Sequence, residues 1–159
     1  MADTHEIKET LWKKMADSPY LMVGKADGSS HSEPLMAQLD KDLVDTLFFF
    51  TGKDNRLADG GKVMAQFVSK GHDYFACMAG TIRQDNDKAM IDKLWSKQVE
   101  AWFPEGKEDP NLALLRMDID SAELWETDIS LTGRVKMLFG GTITADESSS
   151  HAKVSTTAA

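Results

Sequence analysis

The stretch "LFFFTGKDNRLADGGK", which runs from Leu47 to Lys62, joins an apolar segment to a polar one. Its first part is a nearly continuous apolar run, as expected of a β-strand that is covered on both faces. The run ends at Thr51 and gives way to a short polar loop that contains Lys53, Asn55 and Arg56. These side chains place a hydroxyl, an amide and two cations beside the end of a buried strand. The loop is therefore able to hold an anion.

Short strands are predicted on both sides of this stretch, separated by turn residues. "YLMVGKA" (20–26) and "HSEPLMAQLD" (31–40) precede it, and "KVMAQFVS" (62–69), "DYFACMAGTI" (73–82), "LALLRMDI" (112–119), "AELWETD" (122–128) and "GRVKMLF" (133–139) follow. Such a series favours a mainly β protein built on a small antiparallel β-barrel with peripheral helices. An open α+β sheet is the alternative. A doubly wound α/β fold is disfavoured because helices and strands do not alternate strictly.

Two helical regions interrupt the strands. An amphipathic helix is predicted from Thr4 to Ala16, and one helix or two short ones from about Asp85 to Phe103. Helical spacing places Trp95 and Trp102 on one face of that insertion. Residues 1–139 are predicted to form a single domain, and the polar, small-residue segment 140–159 a disordered tail.

Composition limits the classes of partner. The chain has 159 residues and a formal net charge of −8, which argues against broad contact with nucleic acid or anionic membranes, since both need a basic face. The lone cysteine, Cys77, excludes an intrachain disulfide. The sequence shows neither an apolar core of signal-peptide length near its start nor an 18-residue apolar run. We expect a cytoplasmic protein.

Familiar catalytic motifs do not match. "DGGK" has Arg56 and Val63 where a phosphate loop needs glycine and Ser or Thr, and no G-x-G-x-x-G occurs. "DNDK" (85–88) lacks the later glycine and glutamate of a calcium loop. The four histidines are scattered without metal-site spacing, so no metal site is predicted. No nucleophile–base–acid set can be assembled, and no catalytic residue is assigned.

An ordered set of segments carries a family resemblance. "HSEPLMAQ", "LFFFTGKDNR", "FACMAGTI" and "AELW" occur in that order, with the long insertion "LWSKQVEAWFPEGKEDPNLALLRMDIDSAELW" (94–125) overlapping the last. This arrangement resembles the FMN-binding split β-barrel of the pyridoxamine 5′-phosphate oxidase-like superfamily, and within it the general stress protein branch. The resemblance covers about Ile7 to Phe139. It is carried by Pro34, Ala37, Gln38, Phe49, Phe50, Thr51, Asn55, Gly80, Trp95, Trp102, Phe103, Pro104, Gly106, Asp109, Pro110 and Trp125.

The resemblance implies a flavin cofactor, FMN with FAD as a second option. In such proteins an apolar strand ends under the flavin ring, and the following loop receives the phosphate. A homodimer with flavin sites at the subunit interface is also implied. The positions that correspond to cofactor-binding residues are Glu33, Pro34, Phe49, Phe50, Thr51, Lys53, Asn55, Arg56 and Trp125.

Two departures from the family pattern affect the phosphate end. Glu33 stands where many relatives have arginine, and Asn55-Arg56-Leu57 replaces a Ser-x-Lys sequence. Losing two cations and gaining a carboxylate is expected to weaken binding of a dianion, whereas Lys53, Arg56 or a neighbouring subunit would compensate.

The resemblance implies a stress-associated, oxidoreductase-like flavin-binding protein. A non-catalytic flavin carrier or sensor, or a small-ligand-binding module on the same fold, is the alternative. Oxidation of pyridoxamine 5′-phosphate itself is disfavoured, because basic residues are not evident near the C-terminal strands. Whether the protein turns over a substrate stays open at this point.

Overall fold

A computed structural model describes residues 4–127 and 150–155 of the chain. Most elements follow the predicted order, and the amphipathic N-terminal segment forms a helix as expected. The elements are α1 (Thr4–Asp17), β1 (Tyr20–Lys25), β2 (Glu33–Met36), β3 (Thr46–Gly52), β4 (Gly61–Val68), β5 (Tyr74–Gln84), α2 (Lys88–Leu94), α3 (Lys97–Glu100), a 3₁₀ turn (Gly106–Glu108), β6 (Leu112–Glu126) and β7 (Ser150–Ser155).

The strands form an antiparallel sheet that nearly closes into a barrel. Neighbours follow the order β2-β1-β4-β5-β6-β3, and β7 pairs with β6 beyond this path. A backbone bridge between Gln38, just after β2, and Phe48 of β3 joins the two ends of the series. The structure confirms the split β-barrel prediction.

β6 is a single long strand, although the sequence predicts two. Leu112–Asp118 pairs with β3 on one side, and Ser121–Glu126 pairs with β7 on the same side further along. The pairing with β5 shifts register between Ala79 and Gly80, leaving Asp120 as an extra residue in β6. A β-bulge bends a strand without ending it, so the polar break in the sequence is a bend and not a turn.

The side chains of β3 divide between two hydrophobic clusters. Leu47 and Phe49 belong to the barrel interior, whereas Phe48 belongs to a second cluster together with Ile91 and Val99 of the helical insertion. Phe48 and Phe49 are both fully buried. The prediction that this strand is covered on both faces is therefore confirmed: the barrel covers one face and the insertion the other.

The helical insertion is two short helices. Asp87 caps α2, since its carboxylate accepts a hydrogen bond from the Ala89 N–H at 3.0 Å, and Ser96 caps α3 by accepting from the Val99 N–H at 3.2 Å. Between them Trp95 is extended, with φ −64° and ψ 136°. The prediction that Trp95 and Trp102 share one helical face is wrong, because the chain leaves the helix at Trp95.

The C-terminal segment differs from the predicted disordered tail where it is described. Ser150–Ser155 forms β7, which pairs with Ser121–Glu126 of β6. This segment lacks the alternation of large apolar residues that marks a strand in a sequence, so its partner strand decides its conformation. The strand predicted over 133–139, and the tail residues 140–149 and 156–159, lie outside the described residues. Within residues 4–127 and 150–155, no helix has the length and apolar character needed to cross a membrane.

Candidate functional site

A largely apolar groove, hereafter the groove, lies between the barrel and α3. Its volume is about 400 Å³, within the range of small-molecule sites. β1, β2 and β3 supply one wall, and α3 with the turn after it supplies the other. The lining residues are Tyr20, Pro34, Leu35, Met36, Gln38, Phe50, Gln98, Val99, Trp102 and Phe103.

An aromatic cluster supports one side of the groove. The Phe50 ring meets the Trp95 ring edge-on, with centroids 5.6 Å apart and an interplanar angle of 87°. Trp95 in turn contacts Phe103 at 6.3 Å. Such contacts fix the orientation of the two phenylalanine rings that line the groove. Trp102 is 78% exposed and offers a large aromatic surface at the groove's open side.

An ion pair between the half-exposed Lys93 and the buried Asp40 connects the helical insertion to the barrel. Lys93 of α2 donates to both carboxylate oxygens of Asp40, at 2.9 and 2.8 Å, and the Asp40 side chain is 2% exposed. The hydrogen bond from Lys93, followed by one from the Asp42 backbone N–H, lowers the pKa of Asp40. Asp40 lies four residues after the end of β2, so this pair holds α2 close to the strands that form the groove.

The polar loop after β3 is joined to the start of β2 through Glu33. The Asn55 side-chain amide donates to Glu33 Oε1 at 2.6 Å, and Arg56 Nε lies 3.5 Å from Glu33 Oε2. Arg56 also donates to the His31 carbonyl at 2.9 Å. Asn55 Oδ1 accepts from the Leu57 N–H at 2.8 Å, which orients the amide group. We call Glu33, Asn55 and Arg56 the anion cluster, because two donors surround a carboxylate.

Lys53 lies apart from the anion cluster. It borders a smaller cleft of about 230 Å³ with Lys88 and an ion pair between Lys107 and Asp92, 2.9 Å apart. Its backbone N–H donates to the Asn111 carbonyl at 2.8 Å. Lys53 and Arg56, which the sequence places three positions apart, therefore face different surroundings.

The remaining sequence-predicted positions are distributed over the barrel. Phe49 is fully buried in the barrel interior, and Thr51 is also buried, its hydroxyl donating to the Gly52 carbonyl at 3.2 Å. Trp125 lies on β6, opposite Phe75, and is 36% exposed. Of the predicted binding residues, Pro34 and Phe50 line the groove, and Glu33, Asn55 and Arg56 lie together at the loop.

Eight of the ten groove residues, Tyr20 and Gln98 among them, were not predicted as binding residues from the sequence. Gln98 of α3 donates a long hydrogen bond of 3.4 Å to the Tyr20 hydroxyl. Alternation in "YLMVGK" places Tyr20 on the same face as Met22, opposite buried Leu21 and Val23. The sequence therefore allows an exposed tyrosine to be predicted at the start of this strand. Gln98 offers no such signal, because its position depends on the break between α2 and α3.

The groove is built for binding more than for acid–base work. Among its described lining residues, Tyr20 is the only one with a titratable side chain. Across residues 4–127 and 150–155, no group of three or more His, Cys, Asp or Glu side chains is placed to hold a metal ion. The arrangement offers an apolar, aromatic surface, two amides and a hydroxyl, with the anion cluster beyond it.

Solved structures of similar chains share this fold. A general stress family protein of Xanthomonas campestris pv. campestris is 41% identical, with 82% of this chain and 94% of that one covered and a TM-score of 0.75. The general stress FMN/FAD binding protein of Xanthomonas citri is 43% identical, with 80% and 94% covered and a TM-score of 0.74. A general stress protein 26 of Jannaschia sp. CCS1, 23% identical with a TM-score of 0.78 over 96% and 99% of the two chains, matches in fold.

Sequence comparison points the same way. General stress protein 26 of Bacillus subtilis is 36% identical over 52 residues, a match that spans 33% of this chain and 36% of that protein. The profile of the family described as pyridoxamine 5′-phosphate oxidase like matches residues 6–148, nearly the whole chain. This chain belongs to the pyridoxamine 5′-phosphate oxidase-like family.

Proposed function

We propose that this protein binds a flavin, FMN or alternatively FAD, in the groove, as a stress-associated, oxidoreductase-like protein. Family membership supports the proposal, as does the 43% identity to a protein described as FMN/FAD binding. We also propose a cytoplasmic location, which the lone cysteine favours.

The groove is the observation that carries the proposal. A flavin has a flat tricyclic ring system with an apolar face and polar edges. Phe50 and Trp102 offer aromatic surface to such a ring, and the side-chain amides of Gln38 and Gln98 offer donors and acceptors to its edges. The volume of about 400 Å³ suits a ligand of this size, part of which stays exposed to solvent.

The phosphate end fits less well than the ring. Two donors of the loop after β3, Asn55 and Arg56, already contact the Glu33 carboxylate. The groove therefore matches the aromatic half of a flavin, while the anion cluster is engaged by a residue of the chain itself.

In any reaction, the side chains of the groove would bind the flavin, orient its ring and shield it from solvent. When bound, a flavin supplies redox chemistry at its ring. Phe50, held by Trp95, and the exposed Trp102 would pack against the ring of a bound flavin. The Gln98–Tyr20 hydrogen bond joins α3 to β1 across the groove.

A homodimer is part of the proposal. Tyr20, Met22, Val68 and Trp125 are exposed by 55%, 43%, 47% and 36%, and they lie on the outward side of β1, β4 and β6. We call this surface the outer sheet face. Aromatic and large apolar side chains are typical of protein interfaces. Since Tyr20 also lines the groove, a partner subunit on this face would border the proposed flavin site.

The alternative is a flavin carrier or sensor without turnover, or a module for another small ligand. It is favoured by a lining in which, among described residues, tyrosine is the only titratable side chain. Addition of NADH or NADPH to the flavin-loaded protein distinguishes the two: bleaching of the flavin absorbance indicates an oxidoreductase, and an unchanged spectrum indicates a carrier.

A spectrum of the freshly isolated protein, followed by titration with FMN, tests flavin binding. Replacing Trp102 by alanine is expected to weaken FMN binding by about tenfold, because stacking on an aromatic side chain contributes about 1–3 kcal/mol. The folding cost is small, since Trp102 is 78% exposed. Quenching of flavin fluorescence measures the affinity.

Val44→Ala is the matched control for this experiment. Val44 is also exposed, at 47%, and does not line the groove, so its substitution leaves FMN affinity unchanged. A protein that binds neither FMN nor FAD would overturn the proposal. Equal affinities of Trp102→Ala and the wild type would remove the groove as the site.

A further inference from the structure

We infer that Glu33 is a specificity-determining residue that penalises flavins with a doubly charged terminal phosphate. The inference rests on the proposed function and deepens it, by naming the ligand feature that the site discriminates against. It starts from the anion cluster, where the chain's own carboxylate occupies the donors that a phosphate would need.

The contacts show that the cluster already holds an anion. Asn55 donates to one carboxylate oxygen of Glu33 at 2.6 Å, and Arg56 lies 3.5 Å from the other. The Glu33 side chain is 22% exposed, so its charge is partly removed from solvent. An incoming phosphate would have to displace this carboxylate from its donors or bind beside it.

The topology brings the cluster to one end of the groove. The antiparallel bridge between Gln38 and Phe48 shows that β2 and β3 run in opposite directions. The start of β2 therefore lies beside the end of β3. Glu33 is followed directly by Pro34, and β3 ends at Gly52, two residues after Phe50. Both Pro34 and Phe50 line the groove. A tail that extends from a ring in the groove toward this end therefore meets Glu33.

The charge on the phosphate of each flavin determines how strongly Glu33 repels it. The terminal phosphate of FMN is a monoester that approaches two negative charges at neutral pH, whereas each phosphate of FAD is a diester with one, and riboflavin has none. FAD therefore carries two charges in all, spread over two phosphates, and repulsion from a partly buried carboxylate is strongest where both charges lie on the one phosphate nearest to it. The penalty should thus be largest for FMN, smaller for FAD and absent for riboflavin.

Glu33→Gln tests the inference, because glutamine keeps the shape and an oxygen that can accept from Asn55. Affinities of the wild type and the variant for FMN, FAD and riboflavin are measured by fluorescence quenching at low ionic strength. We expect FMN to bind about tenfold more tightly to the variant, with little change for riboflavin. Arg56→Gln removes the opposing charge and should weaken FMN binding more than riboflavin binding.

Glu9→Gln is the control for net charge. Glu9 is exposed on α1, pairs with Lys13, and lies outside the groove and the anion cluster. Glu9→Gln should leave the affinities for all three flavins unchanged. An effect seen only in Glu33→Gln then results from the position of Glu33 and not from the change in net charge. Thermal melting of each variant verifies folding.

The outcomes separate this inference from the proposed function. If riboflavin or FMN binds but Glu33→Gln changes both affinities by the same factor, or weakens FMN binding selectively, the inference is overturned and flavin binding stands. If none of the three flavins binds to wild type or variant, both fail.

Discussion

Gly80 occupies a point where two backbones approach too closely for a side chain. A Cβ atom at this position would collide with the Asp118 carbonyl oxygen and lie 3.0 Å from the Met117 methyl group. Gly80 lies at the register shift between β5 and β6, so the added Cβ would collide with the backbone of a barrel strand. Gly80→Ala is expected to lower the free energy of unfolding by about 1–3 kcal/mol, the usual cost of overpacking. Urea denaturation measures the change.

Gly71→Ala is the matched control, because a Cβ there lies 3.3 Å from the Asp73 carboxylate, and its three nearest neighbours are side-chain and not backbone atoms. Its effect should be under about 1 kcal/mol. Equal losses in the two variants would contradict the importance of the close approach at the bulge.

The candidate site residues were only partly predictable, and the three consecutive phenylalanines show why. The alternation of side chains along a strand predicts that Phe49 faces away from Phe48 and Phe50. It does not tell which of the two faces points into the barrel. Pairing with β6 and the helical cover decide this, and they place Phe49 inside and Phe50 at the groove. Contacts between distant segments, such as Glu33 with Asn55, are equally invisible in a local pattern.

At the scale of elements, the Asp40–Lys93 pair decides how firmly the helical insertion sits. Because Lys93 lowers the pKa of Asp40, the pair contributes stability above the unfolded-state pKa of about 4, and this contribution is lost as the pH falls through the folded value. Asp40→Asn removes the charge while keeping the shape. We therefore expect it to lower the urea midpoint at neutral pH, with the difference from wild type shrinking below about pH 4.

Urea titrations of both proteins across this pH range give the comparison. Asp92→Asn is a suitable control, since Asp92 is on the same helix but forms a more exposed ion pair with Lys107. A difference between wild type and Asp40→Asn that stays constant down to the lowest pH would contradict the linkage.

Most elements were predictable, and the exceptions share a cause. The strands from β1 to β5 and helix α1 follow local periodicity, and they appear where the pattern indicates them. β6 was divided in two because "DIDSAE" contains polar residues, whereas pairing with β5 carries the strand through a bulge at Asp120. β7 escaped prediction because it depends on the exposed edge of β6. Long-range pairing overrides weak local preference in these cases.

At the scale of the whole molecule, the described part of the barrel has one surface that carries several exposed large apolar side chains. The helical insertion covers the outside of β3, and α1 contributes Leu11 and Met15 to the barrel core. The outer sheet face, by contrast, presents Tyr20, Met22, Val68 and Trp125 to solvent. Large exposed apolar patches typically mark interaction sites, and twofold homodimers are the commonest closed assembly.

Val68→Glu tests whether this face joins two copies of the chain. A charge at the centre of an apolar interface, opposite its own copy or other apolar groups, is desolvated without a partner and is expected to weaken association by at least about tenfold. Light scattering coupled to gel filtration should give a dimer for wild type and a monomer for the variant. Val44→Glu is a matched control, because Val44 is equally exposed at 47% and lies outside the outer sheet face.

Since Tyr20 borders both this face and the groove, the Val68→Glu monomer should also bind FMN more weakly than wild type. A monomeric wild type, or a Val68→Glu protein that remains a dimer, would show that subunits do not meet through this surface.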